Sequence, residues 1–218
     1  MKAIKDKVLA VAKAAVLNGL AHETAGNFSM CKRETGAVVI TPSALPRDTC
    51  CADDMCVVDL DGKVVAGCHQ PSTETPMHTA IYREIPSVGA VVHTHSPYAT
   101  AFAVAGKEIG PFAIEILKLN GRIPVVPYAI PGSADLAEKA VQYLKEYPVV
   151  LLQNHGLLAT GKDLDQALLR AVVAEDLAKM GILASSLGGP QLLTEKQLEE
   201  IRSFKKSLQD KPSDEIVV

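Results

Sequence analysis

Two histidines one residue apart, His93-Thr94-His95, are the first feature of this sequence able to do chemistry. In a β-strand, residues two apart point to one face. Two neutral imidazoles so placed can hold one metal ion. An H-x-H pair is also met as one surface and one buried histidine, so it needs a third donor. Gln153-Asn154-His155-Gly156 offers one. This polar insert separates the apolar run 149–152 from another that begins at Leu157. Such an insert is costly unless its groups find partners. Alone, His155 reads as a satisfied core histidine; with His93 and His95 it makes a three-histidine site. Three protein ligands plus an open position are the pattern of catalytic rather than structural zinc.

Glu74 lies in Pro71-Ser72-Thr73-Glu74-Thr75-Pro76. Thr75 reads as a helix N-cap and Pro76 as a first-turn proline. A carboxylate just before that cap has two readings. One is a surface anion favoured by the helix dipole; the other is a general base beside the metal. Three short loops, Thr24-Ala25-Gly26-Asn27, Thr41-Pro42-Ser43-Ala44 and Ser72-Thr73, are rich in small and hydroxyl residues. Each alone is a turn. Together they could present hydroxyls and backbone N–H groups to an anion. No Arg or Lys is tied to them by spacing.

The elements that must position these groups follow from periodicity. Ile4, Val8, Val11, Ala15, Val16 and Leu20 mark an amphipathic helix over 4–20. Short strands are expected at 28–32 and 37–40, and a hairpin at 56–60 and 63–67 around Asp61-Gly62. A helix runs from Thr75 to about 85, a β-rich run covers 90–95, and Ser96-Pro97 opens a helix to about 105. A strand at 122–128, a helix at 134–147 and buried strands at 149–153 and 157–160 follow. The longest helix spans 163 to about 186, Gly188-Gly189-Pro190 breaks the chain, and a last amphipathic helix spans 194–208. Strands cluster, with helices between and after them. That predicts an α/β layer structure on a mixed, largely antiparallel sheet. One domain over 1–210 is expected, with 211–218 a loose tail. No G-x-G-x-x-G or Walker loop occurs.

Composition narrows the function further. The 218 residues are 48% hydrophobic and 22% charged, which excludes disorder and collagen. A net charge of −3 gives no footprint for nucleic acid or a membrane surface. Trp is absent and aromatics are 4%, too few for base-stacking platforms. The five cysteines, an odd number without a C-x-x-C pair, read as thiols in a reducing compartment. The first twenty residues carry four lysines and an aspartate, unlike a signal peptide or a membrane span. A cytoplasmic location is expected by elimination.

Five motifs occur in order: Thr-Ala-Gly-Asn-Phe-Ser at 24–29, Ile-Thr-Pro-Ser at 40–43, Pro-Ser-Thr-Glu at 71–74, Val-Val-His-Thr-His at 91–95 and Asn-His-Gly-Leu at 154–157. The ordered set resembles the class II aldolase/adducin family over about residues 5–208. The resemblance implies an α/β/α sandwich around a mainly antiparallel central sheet. It implies a homotetramer with active sites between subunits. His93, His95 and His155 would hold Zn²⁺ or another divalent transition metal, with Glu74 a further ligand when no substrate is bound. Glu74 would carry the proton, and Tyr128, in Val126-Pro127-Tyr128-Ala129, would be the acid. Thr24, Gly26, Asn27, Ser43, Ser72 and Thr73 would bind the phosphate of a small phosphorylated sugar. The reaction implied is reversible cleavage of a ketose 1-phosphate to dihydroxyacetone phosphate and a short aldehyde such as lactaldehyde. The family's epimerase branch carries Asp where this chain has Glu74. Dehydratases and decarboxylases share the histidines, and the adducin branch is a binding module without the metal site. Two departures stand out. The Thr-Pro-Ser-Gly motif reads Thr-Pro-Ser-Ala here, placing Ala44 where a glycine conformation is used. The aldolases' C-terminal tyrosine aligns with Ser207.

Overall fold

The period-two runs of the sequence become the strands of one sheet. In the computed structural model, which describes residues 1–209, the strands are β1 (Asn27–Lys32), β2 (Ala37–Ile40), β3 (Cys56–Val58), β4 (Val64–Ala66), β5 (Ala90–Thr94), β6 (Val125–Val126), β7 (Val149–Leu152) and β8 (Gly156–Gly161). Their order is β4-β3-β2-β1-β5-β8-β7-β6. Every pairing is antiparallel except β6 with β7. The helices are α1 (Lys2–Leu17), α2 (Thr75–Glu84), α3 (Pro97–Ala105), α4 (Ala134–Leu144), α5 (Leu164–Ser185) and α6 (Glu195–Gln209). The tail expected to be loose lies outside the described residues.

Alternation along the strands sorts the core into two layers. Ala90 and Val92 of β5, Val149 and Leu151 of β7, and Leu157 and Ala159 of β8 pack with α1, α3 and α5. Val91, Val150, Leu152 and Leu158 pack with α2 and α4. The result is the expected α/β/α sandwich. α1 buries Val8, Val11, Ala12 and Ala15, the i, i+3, i+4, i+7 stripe of an amphipathic helix.

Differences from the expected elements are local. The segment read as a strand over 122–128 pairs only at Val125–Val126, because that edge strand meets β7 alone. A 3₁₀ turn at Ile114–Leu119 carries no periodic signal, being too short for one. Thr75 is the first helical residue of α2 rather than its cap, and Glu74 holds the cap position. The Thr75 hydroxyl donates to Ser72 O at 2.6 Å, so it closes the preceding turn instead.

One end of the central strands collects the polar residues. Asn27 begins β1 directly opposite His93 near the end of β5. Leu157 of β8 lies opposite Thr94, so the β7–β8 turn bearing His155 sits beside the same strand end.

Candidate active site

His93, Glu74 and His155 converge on one point. His93 is fully buried and its Nδ1 lies 2.9 Å from Leu157 O, which fixes the proton there and leaves Nε2 a free lone pair. His93 Nε2 is 3.0 Å from His95 Nε2 and 3.1 Å from Glu74 Oε2. His155 Nε2 is 3.2 Å from Glu74 Oε1. The three imidazole centroids are 4.7–5.1 Å apart. An imidazole Nε2 trio faced by a carboxylate, with one ring anchored on a carbonyl through its other nitrogen, is the donor chemistry of a zinc-class site. The residues present therefore fit a divalent transition metal. Asp54, Cys68 and His69 also lie close together, but His69 Nε2 and Asp54 Oδ1 already pair at 2.9 Å, which ties down the bend leading to the 71–74 loop.

Glycine makes this convergence possible at two places. A Cβ on Gly156 would stand 2.4 Å from Thr94 O and 3.0 Å from His95 Cδ2. A Cβ on Gly26 would stand 2.7 Å from His93 O, and Gly26 has φ +75°. Both loops can press on the β5 strand end only without a side chain.

Behind Glu74 runs a chain of buried polar groups. Asn27 Nδ2 donates to Glu74 Oε2 at 2.9 Å, so its Oδ1 faces His78 Nε2 at 2.5 Å. His78 must then donate from Nε2 and accept at Nδ1 from Ser29 Oγ at 2.6 Å. Ser29 Oγ lies 2.7 Å from the Tyr82 hydroxyl. The donors are assigned from this network. Burial holds His78 neutral, lowering it to about 4, and His93 likewise, to about 3. Burial also lowers His95, and raises the Tyr82 phenol. For Glu74, burial alone would raise the carboxyl. The imidazoles of His93 and His155 and the Asn27 amide outweigh it and hold the group at about 2. Glu74 is thus an ionised, 4% exposed carboxylate at the centre of the site, not a surface anion.

Thr24, Gly26, Asn27, Ser43, Ser72 and Thr73 line one cavity of ≈ 640 Å³ together with Glu74, His95 and His155. Loops 41–43 and 70–72 are stitched together: Pro42 bridges Pro71, Ser43 N donates to Gln70 O, and Ser72 N donates to Thr41 O. Two placements add to the expectation. The Asn27 side chain, which lines the same cavity, is engaged at its amide on Glu74 and at its oxygen on His78, so it also orients the carboxylate. Tyr128 is not among the residues lining the cavity; it is 57% exposed, with its backbone N–H held by Gln153 Oε1 at 3.0 Å. Ala44 does adopt the glycine conformation, at φ +53°. Ser207 is exposed and donates to Phe204 O of its own helix.

Arg47 is the residue of this cavity that spacing did not reveal. It is 2% exposed and its guanidinium bridges the 24–26 and 42–45 loops. His78 was likewise given no role by the sequence. Arg47 reaches Gly26 across 21 residues and His78 reaches Asn27 across 51, beyond any local pattern.

One eight-stranded sheet between two helical layers ends in three histidines, a buried glutamate and a cavity lined by small loops. The chain belongs to the class II aldolase/adducin family: residues 6–182 match the model of the Class II Aldolase and Adducin N-terminal domain. A 5-deoxy-D-ribulose 1-phosphate aldolase of Bacillus thuringiensis is 34% identical over 197 residues, 90% of this chain and 92% of that one. An L-ribulose-5-phosphate 4-epimerase of Salmonella paratyphi C is 40% identical over 181 residues, 78% and 79% of the two chains. The solved structure of an L-fuculose 1-phosphate aldolase superposes with TM-score 0.88 at 30% identity, covering 93% of this chain and 96% of that one.

Proposed function

We propose that this protein is a divalent-metal-dependent aldolase, with zinc the expected ion, that reversibly cleaves a ketose 1-phosphate to dihydroxyacetone phosphate and a short aldehyde. The observation that carries the proposal is the convergence of His93, His95 and His155, two of them on Glu74, beside a cavity lined by small hydroxyl loops. A cation held by the three histidines supplies Lewis-acid stabilisation of the oxyanion that carbon–carbon cleavage develops. Glu74 moves the proton between the hydroxymethyl carbon of dihydroxyacetone phosphate and solvent. The Asn27–His78 chain holds its oxygens in place. The loops around Thr24, Gly26, Ser43, Ser72 and Thr73 bind the phosphate. Tyr128, which is exposed, is assigned to the aldehyde-side oxygen, reaching a neighbouring subunit's site in the homotetramer that the family resemblance implies.

The similar 5-deoxy-D-ribulose 1-phosphate aldolase supports a small aldehyde, because cleavage of a five-carbon 5-deoxy ketose leaves a two-carbon one. The similar 4-epimerase supports a second reading, in which the same cleavage is followed by re-addition to the other aldehyde face. Two incubations followed by product analysis separate them: two- to four-carbon aldehydes with dihydroxyacetone phosphate, and a pentulose 5-phosphate alone. Condensation to ketose 1-phosphates is expected. Inversion of a ketose 5-phosphate without condensation would replace the aldolase reading by the epimerase one. The purified protein should also hold about one zinc-class ion per chain. Alanine at His93, His95 or His155 should remove both ion and turnover. A metal-free triple variant with full turnover would sink the proposal.

A further inference from the structure

The cradle loops contain no lysine, and the one strong cation among the cavity residues is Arg47. Its position is unusual for an arginine. Nη1 donates to Pro42 O at 3.0 Å and Leu45 O at 2.9 Å; Nη2 donates to Thr24 O at 3.0 Å and Gly26 O at 2.8 Å. Four of its five N–H groups are therefore on carbonyls of the two loops that carry Thr24, Gly26 and Ser43. The fifth, Nε–H, is buried with no nitrogen or oxygen acceptor, and the one side chain beside the guanidinium is the Cys50 thiol. Among the described residues no carboxylate pairs with it.

A buried charge without a counter-ion is strongly disfavoured, because four carbonyl dipoles do not cancel a net charge. The same cavity holds loop amides with no acceptor among the described residues, those of Gly26, Ala44 and Thr73. A cation that no carboxylate pairs with, lining the same cavity as unfilled N–H donors, leaves that part of the site short of one anion. Structural clamping alone would explain the carbonyl bonds. It would not explain a permanent charge where a neutral donor would do, nor the orphaned Nε–H.

Resting on the sugar-phosphate reading above, we propose that Arg47 is the positioning cation of the anion subsite. It draws the 24–26 and 42–45 loops into one cradle, and its charge is neutralised by the phosphate group of the substrate. Arg47 acts through the loops it holds and is not placed in contact with the reacting carbons.

The test titrates inorganic phosphate and dihydroxyacetone phosphate into the wild type, Arg47→Lys and Arg47→Met by calorimetry, with folding checked by circular dichroism. Arg47→Met should weaken both ligands tenfold or more. The KM for the phosphorylated substrate should rise by a similar factor, with kcat changing less. Arg47→Lys, which keeps the charge but not the fork, should recover part of that loss. A folded Arg47→Met with wild-type affinity for both ligands would overturn the inference while leaving the sugar-phosphate reading intact. A wild type that binds neither ligand would overturn both. If Arg47→Met does not fold, the wild type still decides the matter. The Arg47 Nε–H resonance, assigned through bonds, should shift on phosphate addition and saturate with the calorimetric Kd. An unmoved resonance at saturation would refute the role.

Discussion

Glu74 and Gly156 show how little room single residues have at this site. Glu74 accepts from Asn27 and faces two imidazoles, so its carboxylate is both oriented and kept ionised. Glu74→Gln retains the shape and removes the base. Loss of a positioned general base costs about 10²–10⁴-fold. Proton exchange at the hydroxymethyl carbon of dihydroxyacetone phosphate should fall by that factor, while binding of inorganic phosphate stays near wild type. Undiminished exchange would hand the proton to another group. Gly156 is constrained by shape instead. The nearest obstacle to an alanine Cβ is the Thr94 carbonyl at 2.4 Å, which is backbone and cannot rotate away. Gly156→Ala must push the β7–β8 turn off β5, at about 1–3 kcal/mol for an overpacked core position. His155 moves with that turn. Zinc occupancy should therefore fall together with the thermal midpoint, whereas a change in the midpoint alone would show that the turn can shift without displacing the imidazole.

Elements were legible wherever a local pattern specified them. The strand that ends at His93-Thr94, the Asp61-Gly62 hairpin and the Ser96-Pro97 helix start all lie within a few residues of expectation, with His95 just past the strand end. The features that escaped are long-range. Asn27 meets Glu74 across 47 residues, and Arg47 meets Gly26 across 21, so neither contact leaves a spacing signal. The capping of α3 is a third case. Ser96 stands at the N-cap but makes no side-chain cap bond. Glu175 of α5 supplies the cap instead, accepting from Tyr98 N at 2.9 Å and Ala99 N at 2.8 Å across the layer. A carboxylate at a helix N-terminus is favoured both by the free N–H groups and by the dipole. Glu175→Ala leaves those amides without their partner, and about 1–2 kcal/mol of stability should go with it. For a chain of this size the thermal midpoint should fall by about 2–8 °C. Because α3 begins just after His95, zinc affinity should weaken in the same variant. An unchanged midpoint would mean that Ser96 can turn in and take over the cap.

Across the whole molecule, the site places several groups that favour the unprotonated state inside the fold, and they all bias stability in one direction. His78 and His93 are fully buried, with pKa values lowered by burial to about 4 and about 3. In the unfolded chain a histidine titrates near 6.5. Between those values the unfolded state binds more protons than the folded state, so stability rises with pH through the window. Their contribution is fully present above about 6.5 and is lost as the pH falls towards the folded values. Each fully buried histidine should remove about 2 kcal/mol between pH 7 and pH 5. Glu74 adds the same sign at lower pH, its contribution being present above the ordinary carboxylate value and lost towards about 2. The total for the two histidines is a large part of the roughly 5–15 kcal/mol that holds a domain together. In chelator, where bound metal cannot compete with protons, urea unfolding at pH 7, 6 and 5 should show a steep fall in the midpoint with an unchanged slope against denaturant. His78→Gln should flatten that fall by about one histidine's share, because glutamine does not titrate. A metal-free protein equally stable at pH 7 and pH 5 would mean that these imidazoles are already protonated in the folded state, paired with Glu74 as imidazolium.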